Sequence, residues 1–205
     1  MHAGKTYKQS LFFIIMDRET ITVVTGLPRT GTSMMMKMLD AGGIPPLTDK
    51  IRKPNEDNPK GYYEYERVKK LPDDIDWVSL AKGKAVKVLA ELVKHLPDTH
   101  RYKVIFMERN LDEMLESQRK MLIRRGKDPD EVSDSELKEM FIQYRNMVRD
   151  HVESHPTMEV LYVGYNELLL DPEVSVKKID SFFDGKLDTE KMISVIDPEL
   201  YRNRA

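Results

Sequence analysis

The residues best suited to chemistry lie in one glycine-rich stretch near the start of the chain. Gly26 and Gly31 are separated by four residues, and hydroxyl groups follow on Thr32 and Ser33. Glycines at this spacing let the backbone adopt left-handed conformations and approach an anion closely. When a strand precedes such a turn and a helix follows it, the free N–H groups of the helix point at a phosphate. The pattern therefore predicts a phosphate-binding loop over residues 25–33.

The cation of this loop is in an unusual place. A Walker sequence has lysine directly after the second glycine, whereas this chain has Thr32 there and carries Arg29 inside the loop. Kinases and nucleoside-triphosphate hydrolases use that lysine beside Mg²⁺, so its absence disfavours ATP chemistry. Arg29 is instead expected to face a phosphate oxygen, or a bridging oxygen that gains charge as a bond breaks. The alternative, a glycine-rich turn with a surface arginine, is disfavoured by the strand and helix predicted on either side.

A second cation follows another predicted strand. Residues 104–108 are apolar up to a closing glutamate, Arg109 comes next, and Ser117 follows eight residues later in a charged helix. Open α/β sheets bind ligands at the carboxyl ends of their strands, so Arg109 is expected beside the first loop. Alone, Arg109 would be a salt-bridged surface residue and Ser117 an ordinary helix serine. Together with the loop they predict two anion sites, which suit a nucleotide phosphorylated at both ends.

These motifs resemble those of the P-loop sulfotransferases that use 3'-phosphoadenosine 5'-phosphosulfate, in particular bacterial sulfotransferase-like proteins. Residues 25–33 are similar to the 5'-phosphosulfate-binding loop, in the arginine-containing form of protein-tyrosine sulfotransferases and many bacterial members. The strand with Arg109 and Ser117 resembles the 3'-phosphate-binding motif. Weaker likeness covers residues 58–64 and 197–202. The resemblance implies these nucleotide contacts: Gly26, Pro28, Arg29, Thr30, Gly31, Thr32, Ser33, Arg109, Ser117 and Arg202.

The resemblance also implies a reaction, in which a sulfuryl group moves to a hydroxyl or amine of a small-molecule or polymer acceptor without a metal ion. Such transfer needs positive charge on the departing phosphate, expected from Arg29, and a base for the acceptor's proton. Glu64 is the predicted base, because it follows a Gly-Tyr-Tyr stretch that could wall a pocket and because the tyrosylprotein relatives imply a glutamate. Glu66 is the alternative, and either residue could instead be a solvated acid that caps a helix.

Two features depart from the family pattern. No histidine lies near the loop, such as the aryl and steroid sulfotransferases use as base. No clear lysine-glycine segment lies near the C-terminus, where Arg202 or Arg204 could serve instead.

Alternating strands and helices predict the fold class, a single α/β domain over residues 1–205 built as a three-layer sandwich around a mostly parallel, doubly wound sheet. The predicted strands cover residues 21–25, 85–89, 102–107 and 159–163. The predicted helices cover residues 30–39, 111–125, 133–154, 172–183 and 189–196, with a short helix ending before Pro97. The polar residues 1–9 are expected to be disordered and to carry no function.

Composition narrows the partners. The 205 residues carry a formal net charge of -2, so no global basic field indicates nucleic acid and an anion site must be built locally. Cysteine is absent, which excludes disulfides and thiolate catalysis. The apolar run at residues 11–16 is too short to span a bilayer and lacks a cleavage site. We therefore expect a cytoplasmic protein without membrane association, and the oligomeric state stays open.

Two other functions compete with sulfuryl transfer. An atypical P-loop kinase would bind ATP with magnesium and would need a carboxylate metal ligand at a strand end, for which Glu108 is the best candidate. A non-catalytic module would keep nucleotide affinity without turnover. The second alternative is supported by the length of the chain, which leaves little room for a large acceptor-binding insertion.

Overall fold

β-branched and aromatic runs form a parallel sheet in the computed structural model, which describes residues 19–49, 51, 61–129 and 131–197. The four strands of this sheet are β1 (Ile21–Gly26), β2 (Ala85–Lys87), β3 (Tyr102–Glu108) and β4 (Met158–Gly164). Their order is β2-β1-β3-β4, and every neighbouring pair is parallel. The chain therefore crosses β1 between β2 and β3, which puts the switch point between the ends of β1 and β3.

Helices connect the strands. The described residues form six α-helices: α1 (Thr32–Ala41), α2 (Leu111–Arg124), α3 (Asp134–Ser154), α4 (Tyr165–Leu170), α5 (Pro172–Phe182) and α6 (Thr189–Ser194). Shorter 3₁₀ segments cover Glu66–Lys70, Asp76–Ala81 and Ala90–His95. No helix in these described stretches is both long enough and apolar enough to cross a membrane.

The core lies on both faces of the sheet. On one face Val24 and Ile105 pack with the methionines of α1 and with apolar residues of α4, α5 and α6. On the other face Val23 and Val104 pack with the 3₁₀ segments and with Val152 of α3. Because strand residues alternate between two buried faces, the strands read as continuous apolar runs. The predicted three-layer α/β fold is confirmed.

The differences from the predicted elements have local causes. Helix α1 begins at Thr32 rather than at residue 30, because Gly31 has a φ of 91° and cannot be helical. Strand β2 ends at Lys87 instead of residue 89, and a 3₁₀ segment follows. Helix α4 was not predicted, because it follows β4 directly and spans only Tyr165–Leu170, too short for a helical period to show.

Candidate active site

Two glycines shape the loop between β1 and α1. Gly26 has a φ of 149°, and a Cβ atom there would lie 2.6 Å from the carbonyl oxygen of Met107 on β3. At Gly31 a Cβ atom would lie 2.4 Å from the ring of Tyr165. Both positions therefore exclude a side chain by space, and their φ values also favour glycine.

A hydrogen bond within the loop holds its turn, and the loop leads into the N-terminus of α1. The buried Thr30 hydroxyl donates to the carbonyl oxygen of Leu27 over 2.7 Å, so this side chain holds the turn. Arg29 adopts a left-handed φ of 70°, and Pro28 is exposed. The first N–H groups of α1 have no acceptor within the helix and are suited to an anion.

Arg29, Arg109 and Ser117 meet at this loop although they are far apart in sequence. The Nη1 of Arg109 donates to the backbone oxygen of Arg29 over 3.1 Å. The Nε of Arg29 donates to the Oγ of Ser117 over 2.8 Å. Two guanidinium groups and a hydroxyl thus gather at the switch point, where anions are bound in such sheets.

Buried polar residues surround Arg109. Its Nε lies 3.0 Å from Oε2 of Glu113, and the two side chains are 7% and 3% exposed. The Oε1 of Glu113 accepts from Nδ2 of Asn166 over 2.9 Å. The guanidinium carbon lies 4.4 Å from the ring centre of Tyr165, in a cation–π contact. Sequence reasoning missed these neighbours, although the four-residue spacing of Arg109 and Glu113 is a signal for an ion pair.

A third cation, Lys87, lies at the end of β2. Its Nζ is 3.3 Å from Oγ of Ser33 and 3.7 Å from Oε1 of Glu64, and its side chain is 14% exposed. Sequence reasoning missed it because the predicted strand, residues 85–89, placed Lys87 inside the strand. The shorter observed strand puts it at the carboxyl edge beside the loop.

The Glu64 carboxylate lies between two ammonium groups, those of Lys87 and Lys69, each 3.7 Å away. Its backbone oxygen accepts from the Thr48 hydroxyl over 2.9 Å, which fixes the segment. The preceding Tyr63 has a left-handed φ of 52°, a conformation that strains a bulky residue. Burial, with a smaller effect of the nearby Asp40, raises the pKa of Tyr63.

The two candidate bases differ in their surroundings. The Glu66 side chain is 38% exposed and pairs with Lys69 over 2.7 Å. Glu64 is 15% exposed and reaches the loop through Lys87 and Ser33. The geometry therefore favours Glu64 as the residue nearer the phosphate loop.

Other predicted residues fall elsewhere. Glu108, the candidate metal ligand of a kinase, pairs with Arg149 of α3 over 3.3 Å. Arg202 and Arg204 lie outside the described residues, as do residues 1–9 and residues 58–60.

A family model and several solved structures match this chain. Residues 19–201 match the family model described as "Sulfotransferase domain". A comparison with curated proteins gives no match. The fold is similar to the sulfotransferase domain of the olefin synthase of Synechococcus PCC 7002, at 15% identity and a TM-score of 0.51, covering 91% of this chain and 83% of that chain.

Two further solved structures are similar at lower TM-scores. A sulfotransferase from Alicyclobacillus acidocaldarius shares 16% identity at a TM-score of 0.48, covering 80% of this chain and 81% of that one. Mouse sulfotransferase SULT7A1 complexed with PAP shares 18% identity at a TM-score of 0.45, covering 87% of this chain and 62% of that one.

Proposed function

The chain belongs to the sulfotransferase family, whose members are enzymes that transfer sulfuryl groups, and we propose that its donor is 3'-phosphoadenosine 5'-phosphosulfate. The acceptor in this proposal is a hydroxyl or amine of a small molecule or polymer. The observation that best supports this donor is the meeting of Arg29, Arg109 and Ser117 at the mouth of the glycine loop. A donor phosphorylated at both ends needs two anion sites next to each other, and this cluster can supply them.

The loop and the cluster divide the nucleotide between them in this proposal. The N-terminus of α1, with the hydroxyls of Thr32 and Ser33, holds the 5'-phosphosulfate. Arg109 and Ser117 hold the 3'-phosphate, because a guanidinium group offers several donors in a fixed plane. Arg29, whose Nε reaches Ser117 from the loop, stabilises the charge of the departing phosphate.

The proposed reaction is a displacement at sulfur. The acceptor oxygen or nitrogen forms a bond to sulfur, and the bond between sulfur and the 5'-phosphate oxygen breaks. Its electron pair leaves with adenosine 3',5'-bisphosphate, and the acceptor's proton passes to Glu64. Lys87 contacts both Glu64 and Ser33. In this proposal its positive charge stabilises the negative charge that develops on the leaving oxygen.

Turnover of a labelled phosphosulfate donor with a panel of phenols, alcohols, amines and sugars tests this function. In the presence of an accepted substrate, Glu64→Gln is expected to lower kcat by about 10²-fold or more, because a positioned base contributes at least that much. The affinity of Glu64→Gln for adenosine 3',5'-bisphosphate should change by less than about threefold, which corresponds to about 0.7 kcal/mol of binding free energy.

Glu66→Gln is the matched control, since it removes a nearby carboxylate that is ion-paired at the surface. It is expected to keep nearly full activity. If the wild type is active and Glu64→Gln has the same kcat, Glu64 is not the base. Tight bisphosphate binding without turnover of any acceptor would favour the non-catalytic module instead.

A further inference from the structure

Glu113 is a buried carboxylate in the first turn of α2 with a separate partner on each oxygen. The residue is 4% exposed. Its Oε2 lies 3.0 Å from Nε of Arg109, and its Oε1 accepts from Nδ2 of Asn166 over 2.9 Å. Burying a carboxylate is costly unless it is paired and hydrogen-bonded, so this arrangement depends on both partners.

Asn166 ties the carboxylate to a second strand end. It is the second residue of α4, directly after β4, and its Oδ1 accepts from the backbone N–H of Asn110 over 3.3 Å. Asn110 is the N-cap of α2, and its side chain accepts from the N–H groups of Asp112 and Glu113. The beginnings of α2 and α4 are therefore linked through one buried acid and two amides.

This network fixes the plane of the Arg109 guanidinium. Glu113 binds Nε, the guanidinium carbon lies over the ring of Tyr165, and Nη1 donates to the backbone oxygen of Arg29. A guanidinium group binds a phosphate well when its fork has the correct direction, because the donors are rigid and coplanar. Of these three contacts, those with Glu113 and Tyr165 come from residues that lie outside the phosphate loop.

We propose that Glu113, held by Asn166, is a positioning residue that aims Arg109 at the 3'-phosphate; this inference rests on the proposed donor. The sign of the effect separates positioning from simple charge. A carboxylate beside Arg109 partly cancels the attraction between Arg109 and a phosphate. If Glu113 acted through its charge alone, its neutralisation would tighten binding of the 3'-phosphate. Positioning predicts the opposite.

Isothermal titration calorimetry with adenosine 3',5'-bisphosphate and adenosine 5'-monophosphate tests the proposal. The ratio of the two affinities isolates the contribution of the 3'-phosphate. In Glu113→Gln and in Asn166→Ala this ratio is expected to fall by about tenfold, within the range of one charge-assisted hydrogen bond. Affinity for the monophosphate should stay nearly unchanged. Glu113→Asp, which keeps the carboxylate, should recover part of the loss.

Glu116→Gln is the matched control, because Glu116 lies on the same helix, pairs with Lys120 over 3.0 Å and is 49% exposed. It should leave the ratio unchanged. Thermal unfolding shows which variants are folded, and if Glu113→Gln does not fold, Asn166→Ala decides the question because it keeps the acid.

An unchanged or increased ratio in folded Glu113→Gln, or an unchanged ratio in Asn166→Ala, would overturn the positioning role while leaving the donor intact. A wild-type protein that does not prefer the bisphosphate to the monophosphate would overturn the proposed donor and this inference with it. The two failures are therefore distinguishable.

Discussion

Tyr165 is the residue that joins the loop to the arginine cluster. Its ring packs where a side chain on Gly31 would lie, and the same ring supports the guanidinium group of Arg109. The ring is buried, so it has little space to move away. A change at Gly31 is therefore transmitted to Arg109 through direct contact.

Replacing Gly31 by alanine tests this contact. The change forces alanine into a left-handed φ of 91° and drives its Cβ atom into the Tyr165 ring. Strain of this kind costs about 1–3 kcal/mol, and the overlap adds to it. We expect a lower free energy of unfolding in urea and a loss of bisphosphate affinity of about tenfold or more, as when a charge-assisted hydrogen bond is lost.

Gly43→Ala is the control, because Gly43 also has a positive φ, of 106°, but a Cβ atom there would meet nothing within 4 Å. It should show the backbone strain with normal nucleotide affinity. Equal affinities in the two variants would contradict the proposed link between the loop and Arg109.

At the scale of elements, α2 and α3 are both capped by a side chain but differ in what they carry. Asn110 caps α2, which holds Glu113 and Ser117 at the loop. Ser133 caps α3 in a reciprocal capping box with Glu136. Losing either cap lowers the free energy of unfolding. Of these two helices, only α2 carries residues of the candidate site.

Asn110→Ala and Ser133→Ala are expected to separate these roles. Each should lower the free energy of unfolding by about 1 kcal/mol, because each removes an N-cap acceptor. Only Asn110→Ala should also weaken bisphosphate binding, since it loosens the start of α2. Urea denaturation and calorimetry on both variants measure this. Weakened binding in Ser133→Ala to the same extent would show that general destabilisation explains the effect.

The sequence allowed the elements to be predicted better than the contacts between them. The strand, loop and helix around Gly26 and Gly31 were predictable because apolar runs and glycine spacing are local signals. The position of Arg109 beside the loop followed from one topological rule, that ligands bind at the switch point, whereas the bond from Arg29 to Ser117 was not predicted. The spacing of Arg109 and Glu113 is a local signal for their ion pair, but the burial of Glu113 and its bond to Asn166 were not predictable, because they depend on which helices pack together.

At the scale of the whole molecule, charge is concentrated at specific places. The net charge of -2 gives no general attraction for anions, so affinity for a nucleotide has to come from the carboxyl edge of the sheet. A pair of histidines lies away from this edge of the sheet, near the C-terminal end of α3. The rings of His151 and His155 are in contact at a tilt of 53°, with their centres 5.2 Å apart, and Nε2 of His151 is buried without a hydrogen-bond partner among the described residues.

This histidine group predicts a pH-dependent stability. Burial lowers the pKa of His151, and the positive charges of His155, His95 and Lys94 lower it further. In the unfolded chain a histidine has a pKa of about 6.5, so below that pH the unfolded state binds more protons than the folded state. The free energy of unfolding is therefore expected to fall as the pH drops below about 6.5.

Urea denaturation of the wild type and of His151→Gln between about pH 5 and 8 tests this, since the range brackets the ordinary pKa of histidine. The advantage of the wild type over the variant should shrink as the pH falls. A constant difference across the range would show that His151 does not titrate differently in the folded state.

In the proposed function, the loop and the arginine cluster together bind one adenosine nucleotide at both its 5' and 3' phosphates. Calorimetric titration of the wild type with adenosine 3',5'-bisphosphate, and separately with ATP and Mg²⁺, measures this most directly. We predict that the bisphosphate binds at least about tenfold more tightly, as expected when one charge-assisted contact is made by the bisphosphate alone. Tighter binding of ATP with Mg²⁺, or no binding of the bisphosphate, would contradict the account.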